Sequence, residues 1–280
     1  MPVQDIFLPL ASHLRPSADA LGTCAAIARS LGAHVAVVAV DTAIAAAAHP
    51  FQAASHFVRD ATLTPERSSA DPDSALNLFL AEARRRSVRC EHAVIRGTID
   101  TAPAMLAEAA RLHDLTLLPV GSHDSALEQT QLALLFSSGR PLLIFPQEQA
   151  AALPITFDRV AIAWNRSAQA ARAVGDALPL LRTATHVQIF TATDRATEQD
   201  AASGNALVRH LGEHGIAATF ETIALAGSSV GKVFESYVKA NASDLLVMGG
   251  YGRSWLKEFT WGGATNTILE GPPCWVLMSH

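Results

Sequence analysis

The stretch Leu245-Leu-Val-Met248-Gly249-Gly250-Tyr251-Gly252, followed after nine residues by Gly262-Gly263 and then Ala264-Thr-Asn-Thr-Ile-Leu269, carries the reading of this sequence. Its opening apolar run has strand character. A glycine after a strand adopts backbone angles closed to other residues, and its missing Cβ lets an anionic group approach the amides. A helix that opens at Gly263 or Ala264 presents unpaired N–H groups and a positive dipole end to the same place. Strand, glycine turn and helix in this order belong to a parallel α/β sheet, whose ligands bind at the carboxyl ends of the strands.

Working outward, short features recur at fixed offsets, the mark of a duplication. Leu31-Gly-Ala-His-Val35 and Thr183-Ala-Thr-His-Val187 both lead into apolar strands, 152 residues apart. Gly97 matches Gly227, and His113-Asp114-Leu115 matches Ser243-Asp244-Leu245, at an offset of 130. The first half therefore carries 22 extra residues, placed between Asp41 and Ser74 as an added helix or lid. Each half alternates β-rich runs with amphipathic stretches of helical length, which predicts two doubly wound α/β domains with five-stranded, mainly parallel sheets. In the first half the predicted strands are Ile6–Leu10, His34–Val40, Arg89–Ile95, Leu115–Val120 and Leu142–Phe145. In the second they are Val160–Ala163, His186–Thr191, Ala218–Ile223, Leu245–Met248 and Trp275–Met278, with helices over Ala168–Leu181 and Val230–Ala240. The Pro-bounded polar stretch Pro146–Pro154 is read as the linker, giving domains 1–147 and 154–280. Leu142–Phe145 and Trp275–Met278 are apolar, hazardous as open edges, and are expected to bury each other.

Composition fits this reading. At about 150 residues per domain, the 280 residues make two domains, and 49% hydrophobic with 17% charged residues is the balance of a chain that folds. With 21 Lys and Arg against 26 Asp and Glu, net charge −5, no basic surplus exists for nucleic acid. Cys24, Cys90 and Cys274 share no CxxC spacing and suit a reducing cytoplasm. Residues Met1–Leu10 lack a charged leader and an apolar h-region, and no apolar run has the length of a membrane span, so the mature chain is expected to start at Met1, with no membrane partner.

The spacing Gly249-x-x-Gly252, nine residues, Gly262-Gly263 resembles the universal stress protein family, whose nucleotide-binding members carry Gly-x-x-Gly, nine residues, then Gly-Ser or Gly-Thr. Trp164-Asn165-Arg166-Ser167 stands where that family has an Asp-Gly-Ser turn, and Gly271–Met278 resembles its last strand. The resemblance covers nearly the whole chain and implies a tandem member with two Rossmann-like domains. It further implies a cytoplasmic protein that binds ATP or a related adenine nucleotide in its second domain, for sensing or signalling, with an intrachain pseudo-dimer and a homo-oligomer among its assemblies. The implied binding residues are Asn165, Met248, Gly249, Gly252, Gly262, Gly263 and Ala264. Two residues depart from the pattern: Gly263 replaces the hydroxyl residue, Thr265 being the nearest alternative, and Asn165 replaces the acid, giving a bound Mg²⁺ less negative charge. In the first half Pro119 stands opposite Gly249 and Ser122 opposite Gly252, with no match for Gly262-Gly263. Proline lacks an N–H, so that loop cannot copy the cradle.

No constellation for chemistry accompanies the loop. Gly231-Lys232 continues as Val233, which is not a phosphate-loop signature, and no positioned base or nucleophile is evident. His210 and His214 share helical spacing without a third ligand and read as an exposed helix face. Arg253 and Lys257 read as solvated cations able to neutralise phosphate, and Trp255, Trp261 and Trp275 as buried aromatics. Ser167 reads as an N-cap. The competing functional readings are an interaction protein that binds no nucleotide and, ranked below it, a slow ATP hydrolase.

Overall fold

The computed structural model describes residues 2–41, 72–121, 125–250 and 263–280. The insertion expected between Asp41 and Ser74 falls almost wholly on residues 42–71, outside that description. Two compact units emerge. The N-terminal unit is Pro2–Arg140 with Gln147–Ala152, and the C-terminal unit is Pro141–Pro146 with Leu153–His280.

In the N-terminal unit, β1 (Asp5–Ala11), β2 (His34–Asp41), β3 (Cys90–Arg96) and β4 (Leu115–Val120) lie in the order β3-β2-β1-β4, all parallel. Its helices are α1 (Ala18–Leu31), α2 (Pro72–Arg85), α3 (Ala102–Ala110) and α4 (Ser125–Ser137), and a 3-10 helix spans Gln147–Ala152. In the C-terminal unit, β5 (Leu142–Pro146), β6 (Arg159–Ala163), β7 (His186–Ala192), β8 (Ala218–Ile223), β9 (Leu245–Gly249) and β10 (Trp275–Ser279) lie in the order β5-β10-β9-β6-β7-β8. Its helices are α5 (Ala168–Leu181), α6 (Glu198–Glu213), α7 (Val230–Ala240) and α8 (Gly263–Glu270). All ten expected strands are present. The fifth, β5, groups with the C-terminal unit because it pairs antiparallel with β10, Val276 opposite Ile144, while the other ladders of that unit are parallel.

Sequence pattern explains where each strand sits. The runs Leu245–Gly249, Trp275–Ser279 and Leu142–Pro146 are buried at every position, as strands covered on both faces must be. The outer strands β3 and β8 mix half-buried with exposed residues. Trp275 anchors the inner seam. It is fully buried, its ring centroid lies 4.4 Å from that of Phe145 and 5.9 Å from that of Phe157, and its Nε1 donates to the Pro154 carbonyl at 2.9 Å. A buried indole finds a partner for its N–H in this way. Cys24 and Cys274 are buried free thiols, and burial pushes the Cys274 thiol up to about 12.

The repeated His-Asp-Leu and Ser-Asp-Leu motifs have one structural cause. Asp114 accepts the backbone amides of Gln4 and Asp5, and Asp244 those of Asp158 and Arg159, so each carboxylate caps the start of a central strand. The chain enters β1 and β6 in the same way because of this shared device.

Candidate glycine-turn site

The strand order of the C-terminal unit reverses between β6 and β9, the switch point at which open α/β sheets bind ligands. Register places Ala163 beside Met248, so the turn after β6 and the turn after β9 emerge side by side. Because β9 and β10 are parallel, α8 runs back between them and its N-terminus lies at the carboxyl ends of the strands. Topology thus gathers three elements at one end of the sheet: the Asn165 turn, Gly249-Gly250 and Gly263.

Each element has its own local cause. Ser167 caps α5, its Oγ accepting the Ala170 amide at 3.0 Å, and Asn165 Oδ1 accepts the Ser167 hydroxyl at 2.8 Å and the Ser167 amide at 3.3 Å. Asn165 therefore builds the turn with the same oxygen that a ligand donor would seek. Met248 is buried in β9 at 2% exposure. Gly249 is required by packing, since a Cβ there would lie 2.6 Å from the Ala170 nitrogen and 2.8 Å from the Gln169 carbonyl carbon. The Gly250 amide donates to the Ser279 carbonyl at 2.8 Å, so it belongs to the sheet. Gly263 opens α8 and is exposed, with no atom of the described residues within 4 Å of where its Cβ would stand. Ala264 is half-buried, and Thr265 is buried at 4% exposure. Gly252, Gly262, Arg253, Lys257, Trp255 and Trp261 lie outside the described residues.

Residues beyond the motif brace the turn. Arg166 adopts φ +65°, in the left-handed region that favours glycine. Its Nε lies 3.2 Å from Asp200 Oδ1, and Trp164 Nε1 donates to Ser203 Oγ at 3.0 Å, so α6 holds the turn from the side. The Thr197 hydroxyl and amide, with Arg166 beside them, hold the Asp200 carboxyl below its usual range. Asp200 and Ser203 carry no sequence signal of this role, because they reach the turn from more than thirty residues away. A groove lined by Arg159, His186, Gln188 and Thr219 opens at the opposite, amino ends of the strands. The rings of His210 and His214 meet edge to face at 4.9 Å, and among the described residues no group of His, Cys, Asp and Glu could hold a metal ion. Nor is any described helix long and apolar enough to cross a membrane.

Residues 156–280 match the model of the universal stress protein family. A universal stress protein from Archaeoglobus fulgidus DSM 4304 superposes over 100% of this chain and 99% of its own, with TM-score 0.67 and 14% identity. A putative universal stress protein from Pseudomonas aeruginosa UCBPP-PA14 covers 99% of this chain and 93% of its own, with TM-score 0.58 and 14% identity. A universal stress protein solved in complex with cAMP matches 52% of this chain and 99% of its own at 15% identity, with TM-score 0.35. No curated protein matches the chain. Residues 156–280 thus carry the sequence pattern of the universal stress protein family, and over its whole length the chain has the fold of the Archaeoglobus fulgidus universal stress protein.

Proposed function

We propose that the chain is a cytoplasmic stress-response protein, built of repeats 1–147 and 154–280, that binds ATP or a related adenine nucleotide in the second repeat for sensing or signalling. One observation carries this reading: the fold gathers the Asn165 turn, the glycines ending β9 and the N-terminus of α8 at the switch point between β6 and β9. Asn165, Met248, Gly249, Gly252, Gly262, Gly263 and Ala264 form the site in this proposal. The amides at the start of α8 hold phosphate oxygens, since a helix N-terminus favours negative charge. Asn165 replaces an acid and supplies a neutral oxygen, so binding depends little on Mg²⁺.

Titration calorimetry with ATP, with and without Mg²⁺, tests the proposal on the intact chain. One nucleotide per chain is expected, and Gly262→Asp abolishes binding because a carboxylate then faces the phosphates. The unmodified protein failing to bind ATP, ADP or AMP, or unchanged affinity in a folded Gly262→Asp chain, overturns it.

A further inference from the structure

The N-terminal unit has its own switch point, between β1 and β4, and the chain fills it from within. Ser17 caps α1 on one side and Gly121 follows β4 on the other. Between them stands Gln147, the first residue of the 3-10 helix. Its Oε1 accepts the Ser17 backbone N–H at 3.0 Å, and its carboxamide packs so closely on Gly121 that any side chain there would run into Nε2. The helix behind it is tied to α1, where the Thr23 hydroxyl donates to the Ala150 carbonyl at 2.9 Å and Ala150 is 2% exposed. In the C-terminal unit the corresponding amide, that of Ser167, is served by Asn165 from within its own turn. Arg15-Pro16-Ser17 offers no such acceptor and borrows one from a segment 130 residues away.

We propose that this contact is autoinhibitory: Gln147 is an internal ligand that closes the crevice of the N-terminal unit, and an outside group enters only when the 3-10 helix lifts from α1. A carboxamide oxygen on the N-cap amide and a carboxamide nitrogen against the one glycine of the β4 turn occupy both walls at once. The group that replaces it offers an acceptor oxygen to Ser17, as a carboxylate or phosphate does. Pro119 contributes no N–H, so the opened crevice binds more weakly than a full glycine cradle.

The test uses the full chain, with ATP as the probe. In a Gly262→Asp background, which silences the proposed site of the C-terminal unit, adding Gln147→Gly is expected to create one new site, at least tenfold weaker than that of the unmodified chain. Independently of any ligand, hydrogen exchange at the Ser17 amide is expected to accelerate at least tenfold in Gln147→Gly. Gln147→Glu keeps an acceptor oxygen and restores protection. Gln147→Ser, too short to reach Ser17, serves the same purpose if the glycine variant fails to fold. An unmodified chain that binds no ATP overturns the reading of the C-terminal unit and leaves this test standing. Unchanged exchange at Ser17 in Gln147→Gly, or no new site in a folded Gln147→Gly or Gln147→Ser chain, overturns the autoinhibitory contact.

Discussion

The two switch points of this chain start from the same plan and end in opposite states. Each sets the N-cap serine of a first helix, Ser17 or Ser167, beside the end of a central strand, β4 or β9. In the C-terminal unit the N-cap amide is served locally by Asn165, and among the described residues no atom lies within 4 Å of where a Gly263 Cβ would stand. In the N-terminal unit the turn has lost its acceptor, Pro119 stands where Gly249 does, and Gln147 closes the gap. The difference teaches that duplication preserves the scaffold, including the strand-capping Asp114 and Asp244, while the crevice is free to be opened or plugged.

The largest expected effect sharpens this contrast at the strand ends. Gly249→Ala puts a Cβ 2.6 Å from the Ala170 nitrogen, a backbone atom that cannot swing aside. Overpacking of this kind costs about 1–3 kcal/mol, so the denaturation midpoint of the C-terminal unit falls. At the matching position Pro119 is buried, so Pro119→Gly costs buried ring surface and frees the unfolded chain but brings no backbone clash. Denaturant titration of both variants decides. A Gly249→Ala chain as stable as the unmodified protein would mean that the first turn of α5 makes no demand on Gly249, and the contrast with Pro119 would fail.

The amino ends of the sheets differ in charge, and pH separates them. Asp5 bridges two histidines, His34 Nδ1 at 2.9 Å and His113 Nδ1 at 2.7 Å. Burial works to raise its pKa, but the hydrogen bonds and charges of His34 and His113 together hold it below the ordinary value. The register partner of His186 in the other unit is Arg159, which donates to the Asn241 carbonyl at 2.8 Å. A folded pKa below the unfolded one gives stability that is full above the unfolded value, about 3.9, and lost as pH falls through the folded value. Asp5→Asn is therefore expected to destabilise the protein at neutral pH and to flatten its loss of stability below about pH 4. Melting temperatures from pH 6 to pH 3 check this by the difference between the two chains. A constant gap at every pH would remove Asp5 from the account.

Much of this architecture was legible in the sequence, because strands and crossover helices are written in local apolar patterning. The ten strands and the helices Ala168–Leu181 and Val230–Ala240 follow directly from it. What stayed hidden depends on contacts distant in sequence. Gly97 and Gly227 match in register yet serve different ends: Gly97 admits the side chains of Met105 and Thr101, whereas Gly227 takes φ +78°. Gly249, read as part of a phosphate cradle, is also fixed by the first turn of α5. Gln147 was legible only as a linker residue, since nothing in Pro146–Pro154 tells that one carboxamide reaches Ser17 and Gly121.

The smallest expected effect lies in the turn of the C-terminal crevice, where Arg166→Gly places glycine at a left-handed backbone position. Three contributions oppose one another. A non-glycine residue at φ +65° carries a steric cost of about 1–2 kcal/mol, which the substitution removes. Against that, glycine adds about 0.5–1 kcal/mol of unfolded-chain entropy. The ion pair to Asp200 is also lost, and with the Arg166 side chain 39% exposed it is worth at most about 1 kcal/mol. The sum is near zero, within about 0.5 kcal/mol of the unmodified protein. The same substitution takes a positive charge from the mouth of the crevice, so the ATP affinity proposed for that crevice is expected to fall by more than stability does, and more steeply at low salt. Calorimetry at two salt concentrations beside a denaturant titration separates the terms. If stability drops by more than about 1.5 kcal/mol, the brace from α6 is structural and the Arg166 turn owes its shape to Asp200. If affinity is unmoved at low salt, Arg166 faces away from the ligand, and Asn165 and α8 alone distinguish this crevice from the plugged one.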